Sequence, residues 1–143
     1  MRRALLSTLL LAVIGCGSDK LDPAFAGLWK GAATLTIGGS SVTDDTVQVS
    51  ISLPSETSIT IAPVCPENAG SITATGKGDS VSWTGTTTCP AAAVGSCASV
   101  VVTLQSGTAS LSSNLTTLSA SAAGTATGCS QTNPFGWQFV GTK

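Results

Sequence analysis

Strict alternation of apolar and polar residues in the second quarter of the chain is the feature that most constrains its fold. Because successive side chains of a β-strand point to opposite faces of a sheet, a period of two is typical of a half-buried strand. No segment beyond residue 25 combines the 3.6-residue period of an amphipathic helix with capping residues. The sequence therefore predicts an all-β protein. The alternating apolar residues are Val47, Val49, Ile51 and Leu53, with Thr46, Gln48, Ser50 and Ser52 between them.

Similar alternation recurs toward the C terminus and predicts eight or nine strands in an antiparallel meander. A small barrel is favoured over a two-sheet β-sandwich, because a closed barrel has no strand edges and the chain has only 6 basic and 7 acidic residues with which to protect them. The inward residues are mostly Val, Ile, Ala and Thr, which predicts a narrow, filled interior. Turns are expected at residues 38–41, 54–56, 76–79, 106–107 and 113–114, and loops at residues 89–97 and 128–134.

The first residues carry the pattern of an export leader. Arg2 and Arg3 precede an apolar run from residue 4 to residue 14. That run is shorter than the roughly 20 residues that a membrane-spanning helix needs. A positive start followed by a short apolar stretch is typical of a secretory signal peptide. We therefore expect residues 1–15 to be a signal peptide.

The leader ends in Val13-Ile14-Gly15-Cys16, which resembles the lipobox of bacterial lipoproteins. The resemblance implies a diacylglyceryl thioether on Cys16, cleavage before it and acylation of the new amino terminus. Gly17, where an Asp would imply retention at the inner membrane, implies the outer membrane. We expect residues 16–25 to form the lipidated cysteine and a tether, and residues 26–143 to form a disulfide-bonded β-domain.

Four cysteines follow the leader: Cys65, Cys89, Cys97 and Cys129. An even number in an exported chain indicates two disulfides, with three possible connectivities. A zinc site is not expected, because closely spaced Cys pairs and histidine are both missing from the sequence. We favour Cys65–Cys89 and Cys97–Cys129, which each close a loop of a few tens of residues.

The tripeptide Gly27-Leu28-Trp29, at the head of the first predicted strand, resembles the Gly-x-Trp motif that opens lipocalins and related barrels. In that family the tryptophan closes the base of the barrel, and a basic side chain near the last strand packs over it. The resemblance therefore implies a lipocalin-like barrel with Trp29 at its base. It also implies that Lys143 contacts the Trp29 ring, in a cation–π contact of about 0.5–1 kcal/mol.

Composition also limits the chemistry. The chain has no His, which excludes an imidazole base, and its cysteines are committed elsewhere. Few basic residues remain after the leader, so binding to nucleic-acid phosphates is not expected. We therefore expect no enzyme, no catalytic residue, no metal site and no cofactor. A carboxylate-based hydrolase, which needs two positioned acids, is a less favoured alternative.

A few residues are worth following as candidate sites. Asp44-Asp45 is the only adjacent acidic pair, and we expect it at a turn entrance, where Asp is favoured. Trp83 is a candidate binding residue, since Trp is common at contact surfaces. Its alternation with Val81 favours the other possibility, packing in the core. Glu67 and Asn68, in a loop beside a predicted disulfide, are candidate binding residues, with a simply solvated loop as the alternative.

Together these features predict a lipid-anchored lipoprotein of the bacterial cell envelope. We expect it to bind a small ligand or an envelope protein through its loops, especially those at residues 65–68 and 89–97. A structural or assembly component of the envelope is an alternative of a different class. An internal apolar pocket would favour a small ligand, whereas a filled interior and an exposed apolar patch would favour a protein partner.

Overall fold

The computed structural model describes residues 19–65, 69–94 and 96–143. The leader, Cys16, Glu67 and Asn68 lie outside the described residues. Within them the chain forms nine strands and one 3₁₀ turn, Pro23–Phe25, which confirms the all-β prediction. No helix in this part of the chain has the length and apolarity that crossing a membrane requires. The strands are β1 (Gly27–Ile37), β2 (Ser40–Ser55), β3 (Ser58–Ala62), β4 (Ile72–Lys77), β5 (Ser80–Thr88), β6 (Ala92–Val94), β7 (Cys97–Leu111), β8 (Thr117–Gly128) and β9 (Gln131–Thr142).

Antiparallel pairing joins these strands into a single sheet that closes on itself. β5 pairs with β7 as well as with β4, and β9 pairs with β1, so that eight of the described strands form a ring. β6 pairs with the first residues of β7, on the same edge as β5. This topology is consistent with the predicted meander and barrel-like closure. The described strands do not divide into the two sheets of a sandwich.

One apolar core fills the ring. The inward residues of the strands are buried together, and no polar or charged side chain is buried among the described residues. Burial of a large apolar side chain contributes about 1.5–3 kcal/mol, so this interior is the main source of stability. It agrees with the predicted filled interior. The largest fully buried side chains are Trp29, Phe25, Phe139, Ile59, Ile61, Leu104, Leu118 and Val49.

The N-terminal residues close one end of the ring, which we call the base: the end where β1 begins and β9 ends. The Asp22 carboxylate caps the 3₁₀ turn by accepting from the Ala24 amide at 2.8 Å. The turn places Phe25 in the core, and its carbonyl accepts from Trp29 Nε1 at 2.9 Å. Leu21 is also buried, and its amide donates to the Glu56 carbonyl at 2.7 Å. The predicted tether is therefore too long, because from Leu21 onward its residues belong to the folded domain.

Lys143, just past the end of β9, contacts the N-terminal residues at the base. Its Nζ lies 4.7 Å from the centroid of the Trp29 ring and donates to the Ala24 carbonyl at 2.5 Å. The contact that the Gly-x-Trp resemblance implies is therefore present. It joins the last strand to the N-terminal turn over a buried tryptophan.

Both predicted disulfides are present. Cys65–Cys89 joins the segment after β3 to the end of β5, with the Cα atoms 5.4 Å apart. Cys97–Cys129 joins the start of β7 to the turn between β8 and β9, with the Cα atoms 5.8 Å apart. In the chain-entropy model, cross-links of this spacing stabilise by about 3–4 kcal/mol each. Both disulfides lie at the end of the ring opposite the base. At that end the strands differ most in length.

The turn predicted at Ser106-Gly107 is wrong. β7 runs unbroken through both residues, with a bulge between Leu104 and Ser106. Gly107 pairs with Trp83 of β5, and a Cβ atom at Gly107 would overlap the indole ring. Glycine here allows a close approach inside the ring and does not mark a turn.

Two predicted loops are also corrected. Residues 89–97 contain the short strand β6, and β9 begins at Gln131, so the β8–β9 connection is only Cys129-Ser130. These two residues have φ values of 48° and 63°. Positive φ at both central positions is typical of a type I′ two-residue hairpin, and here the disulfide at Cys129 holds a turn that contains no glycine.

Gly107→Ala tests the packing role of Gly107. We expect its free energy of unfolding to fall by about 1–3 kcal/mol, because the new methyl group displaces the Trp83 ring. Denaturant titration of the oxidised chain measures the change. Gly136→Ala is the matched control, since its Cβ would meet only Thr36 at 3.9 Å, and we expect a change within about 0.5 kcal/mol. Equal midpoints for the two variants would contradict the packing role.

Lys143→Met tests the contact at the base. The variant keeps the apolar stem but loses the charge over Trp29 and the hydrogen bond to Ala24, so we expect a loss of about 1 kcal/mol. Lys30→Met removes a similar exposed charge on the neighbouring strand and serves as the control. Denaturant titration checks both variants, and a loss as large for Lys30→Met would show that the effect is general charge removal.

Candidate binding groove at the β2 edge

β2 is much longer than its neighbour β3, and this mismatch creates a free strand edge. β3 pairs with β2 only along Ser50–Ser55. It ends at Ala62 because Pro63 follows, and proline has no amide hydrogen to donate to a sheet. Within the described ranges, residues 40–44 and 47–49 of β2 pair with β1 on one side, and residues 40–49 pair with no strand on the other.

A groove of about 670 Å³ lies along this free edge. Its apolar part is formed by Leu28, Val47 and Pro63, and its polar part by Asp44, Gln48 and Ser50. Leu28, a large apolar residue near the start of β1, is 47% exposed. The groove therefore combines an exposed apolar surface with free backbone groups of β2.

Asp44 and Asp45 lie within β2, and the predicted turn entrance is wrong. Gly31 pairs with Val47 and Ala33 with Asp44, so two residues of β2 lie opposite one residue of β1. This is a β-bulge, which bends a strand and interrupts its pairing. The Asp44 carboxylate accepts from the Thr46 amide at 2.8 Å and from the Thr46 hydroxyl at 2.7 Å. The carboxylate thus stabilises the bulge locally and faces solvent.

The hydrogen bonds from Thr46 lower the pKa of Asp44 below its usual value, the side-chain bond having the larger effect and the backbone bond the smaller. A carboxyl group whose pKa is depressed in the fold stabilises the protein at neutral pH. Its contribution is lost as the pH falls through the folded pKa. Asp44 is therefore a fixed negative charge at neutral pH.

The described charges are distributed unevenly. Four lysines and four acids lie at or near the base, where Lys20 pairs with Glu56 at 2.6 Å. Asp44 and Asp45 are the two remaining charged side chains in the ranges described, and they lie on the free edge of β2. The eight side chains at or near the base are four positive and four negative, so the excess negative charge of the described residues equals that of Asp44, which lines the groove, and Asp45. Lys30, on β1, lies opposite Gln48. The eight base residues are Asp19, Lys20, Asp22, Lys30, Glu56, Lys77, Asp79 and Lys143.

The other candidate residues do not join this groove. Trp83 is only 8% exposed and belongs to the core, which agrees with the packing alternative. Its Nε1 is buried, with no hydrogen-bond acceptor among the described residues. Trp83 thus packs in the core, and it also lines a second groove on the outer wall. Glu67 and Asn68 lie outside the described residues.

Carboxylates are scattered in the described part of the chain, and its four cysteines are all in disulfides. No group of three or more His, Cys, Asp or Glu residues close enough to hold a metal ion occurs in residues 19–65, 69–94 and 96–143. The Asp44-Asp45 pair has only hydroxyl and amide groups around it. Whether the protein is an enzyme is not tested by this geometry and stays a prediction.

A second groove, of about 570 Å³, crosses the outer wall over β5, β7, β8 and β9. It is lined by hydroxyl-bearing and small residues, including Thr84, Thr108, Ser121, Ala123 and Gly136. Its lining includes Trp83 and Trp137 but no charged side chain. The strands β5, β7, β8 and β9 beneath it are each paired on both sides, so it lacks the unpaired strand edge that the groove at β2 has.

Comparison with known proteins adds no relative. No family model, no curated protein and no solved structure matches this chain.

Sequence reasoning did not find the β2 edge. Alternation is clear only from Thr46 onward, so β2 was expected to begin six residues later than Ser40. Two signals were available: Asp44-Asp45 breaks an otherwise uncharged β-rich stretch, and Pro63 limits the length of β3. Neither signal shows by itself that the two strands differ in length on the same side of a sheet.

Thr46→Val tests the hydrogen bonding at the bulge. The variant loses the hydroxyl donor to Asp44, so we expect the pKa of Asp44 to rise toward its usual value. A carboxyl-carbon NMR titration of the folded protein measures it. Thr43→Val is the control, because the Thr43 hydroxyl bonds to Thr34 and not to Asp44. An unchanged pKa of Asp44 in Thr46→Val would contradict the assignment.

Proposed function

We propose that this chain is a lipid-anchored protein of the bacterial cell envelope that binds a protein partner along the free edge of β2. The observation that carries the proposal is the groove at that edge, with its exposed Leu28 and unpaired strand. A protein partner offers the backbone groups and side chains that such a surface can bind. The outer membrane is the proposed location.

A protein partner is preferred to a small ligand because inward apolar side chains occupy the interior of the ring. The inward side chains form one continuous core, whereas the groove with exposed apolar surface lies outside the ring. Small-molecule sites are usually enclosed and apolar with a few polar groups. An open groove beside a strand edge suits an extended polypeptide better.

The proposed anchor fits the position of the N-terminal residues. The Lys20 carbonyl accepts from the Gly78 amide at 2.9 Å, so the chain is fixed to the base from that residue onward. Four residue steps separate Cys16 from Lys20, which reach at most about 14 Å. A lipid on Cys16 would therefore hold the base close to the membrane, with the base end of the ring nearest to it.

A distant relation to lipocalins is part of this proposal. It rests on Gly27-Leu28-Trp29, on the Lys143 contact with Trp29 and on the antiparallel ring. The filled interior argues that this protein does not use an internal ligand cavity. Its binding surface would lie on the outside of the ring.

Cys16→Ser tests the anchor. We expect the full chain, expressed in a bacterium, to sediment with membranes and the variant to appear in the soluble exported fraction. Two or three acyl chains hold a protein at a membrane without measurable release, so the difference is expected to be nearly complete. Equal membrane fractions for both proteins, at equal expression, would refute lipid anchoring.

A photocrosslinking side chain at Gln48 tests the binding surface in intact cells. We expect light-dependent adducts to a discrete protein. A crosslinker at Ser119, exposed on the wall formed by β8, is the matched control and is expected to give none. Identical adduct patterns from the two positions, or no adduct from Gln48, would exclude the edge of β2 as the partner surface.

A further inference from the structure

We propose that the free edge of β2 binds an extended peptide segment carrying basic residues, which adds to the sheet as a further strand. The proposal deepens the proposed function and rests on it, because it names the chemistry of the partner. The basic side chains of the segment would pair with Asp44 and Asp45, and its backbone with β2.

The edge itself supplies the first argument. A strand edge presents unpaired amide and carbonyl groups, which are a template for another strand. On β2 this template comprises residues 40–44 and 47–49, which flank the bulge where the Thr46 amide already donates to Asp44. Together they match the length of an ordinary strand. Leu28 and Pro63 beside it provide an apolar surface for alternate side chains of an added strand.

The negative charge of the β2 edge indicates which side chains the added strand carries. Asp44 and Asp45 are the two acids on this edge, and neither forms an ion pair among the described residues, although Lys30 lies one strand away opposite Gln48. Asp44 is held ionised by its hydrogen bonds to Thr46. A segment with lysine or arginine near its centre would neutralise this pair, whereas an acidic or neutral segment would leave the carboxylates unpaired or repelled.

The same charges argue against a second copy of this chain. Antiparallel pairing of two β2 edges centred on the bulge would bring Asp44 and Asp45 of one copy opposite those of the other. Like charges directly across a strand pair are destabilising. Charged side chains on a strand edge also discourage association between copies of one chain. The occupant is therefore a different, basic segment.

Synthetic peptides test the proposal directly. The probe is a fluorescein-labelled, end-capped eight-residue peptide of alternating Val and Thr with two central lysines. Fluorescence anisotropy with the full-length lipidated protein in detergent measures its binding. We expect saturable binding that weakens with added salt, and slowed amide hydrogen exchange at residues 42–49 in the complex.

Two altered peptides separate charge from strand addition. Replacing the lysines with glutamates is expected to abolish detectable binding. N-methylation of alternate amides along one edge keeps the charge but removes the donors, and it is also expected to abolish binding. Equal binding of the N-methylated and unmodified peptides would show a purely electrostatic contact and overturn the strand addition.

Matched protein variants locate the site. The double variant Asp44→Asn, Asp45→Asn is expected to bind the lysine peptide about five- to tenfold more weakly, the effect of losing two partly exposed ion pairs. Asp19→Asn, Asp79→Asn removes the same total charge at the base and is expected to bind as the parent protein does. Equal weakening in both double variants would overturn the role of the acidic pair.

The outcomes distinguish this inference from the proposed function. If Gln48 crosslinks to a protein in cells but the lysine peptide does not bind, the partner surface stands and the basic strand is wrong. If a peptide copied from residues 40–49 binds better than the lysine peptide, or the protein sediments as a dimer that Asp44→Asn strengthens, the occupant is a second copy. Either result overturns the inference.

Discussion

The pairing of β5 with β7 is the constraint on which the rest of the structure depends. Without it the meander would be an open sheet with one exposed apolar face, and with it the inward side chains share one interior. The two strands approach each other around the Trp83 ring, which lies where a Cβ of Gly107 would otherwise be. Because residue 107 is glycine, the Trp83 side chain can point inward while the backbone pairing of β5 with β7 continues on both sides of it.

Strand pairing closes the ring only at those levels where all eight strands are present. β3 and β4 are short, so away from the base the wall between β2 and β5 is not continued by strands. The Cys65–Cys89 disulfide joins the chain beyond β3 to the end of β5 across this region. The disulfide holds the walls together but supplies no backbone partners for β2. The bulge and the acidic pair Asp44-Asp45 lie on this edge of β2.

Burial on one face is what made parts of this fold predictable. From Val47 onward β2 has one buried and one exposed face, and its alternation follows from that. Residues 40–46 are exposed on both faces, so no alternation marks them as strand. The even number of cysteines predicted two disulfides, and the connectivity favoured among the three possible is the one present. The Lys143–Trp29 contact followed from a resemblance.

The missed features depend on residues that are distant in sequence. Gly107 resembles a turn glycine locally, and only Trp83, from another strand, explains why it is needed. The candidate groove depends on the relative lengths of β2 and β3, which no local pattern encodes. Pro63 limits β3, but its effect on β2 is visible only after the two strands are paired.

The arrangement of charge gives the two ends of the ring different physical characters. At the base, basic and acidic side chains balance, and Lys20–Glu56 is an exposed pair of the kind that contributes little to stability. A balanced base is neither drawn to nor repelled by anionic lipid headgroups, so membrane attachment would depend on the proposed acyl chains alone. Asp44 and Asp45 on the strand edge form no ion pair with the described lysines, so their charge can select among partners. Attachment and selection would then be separate properties, located in different parts of one small ring.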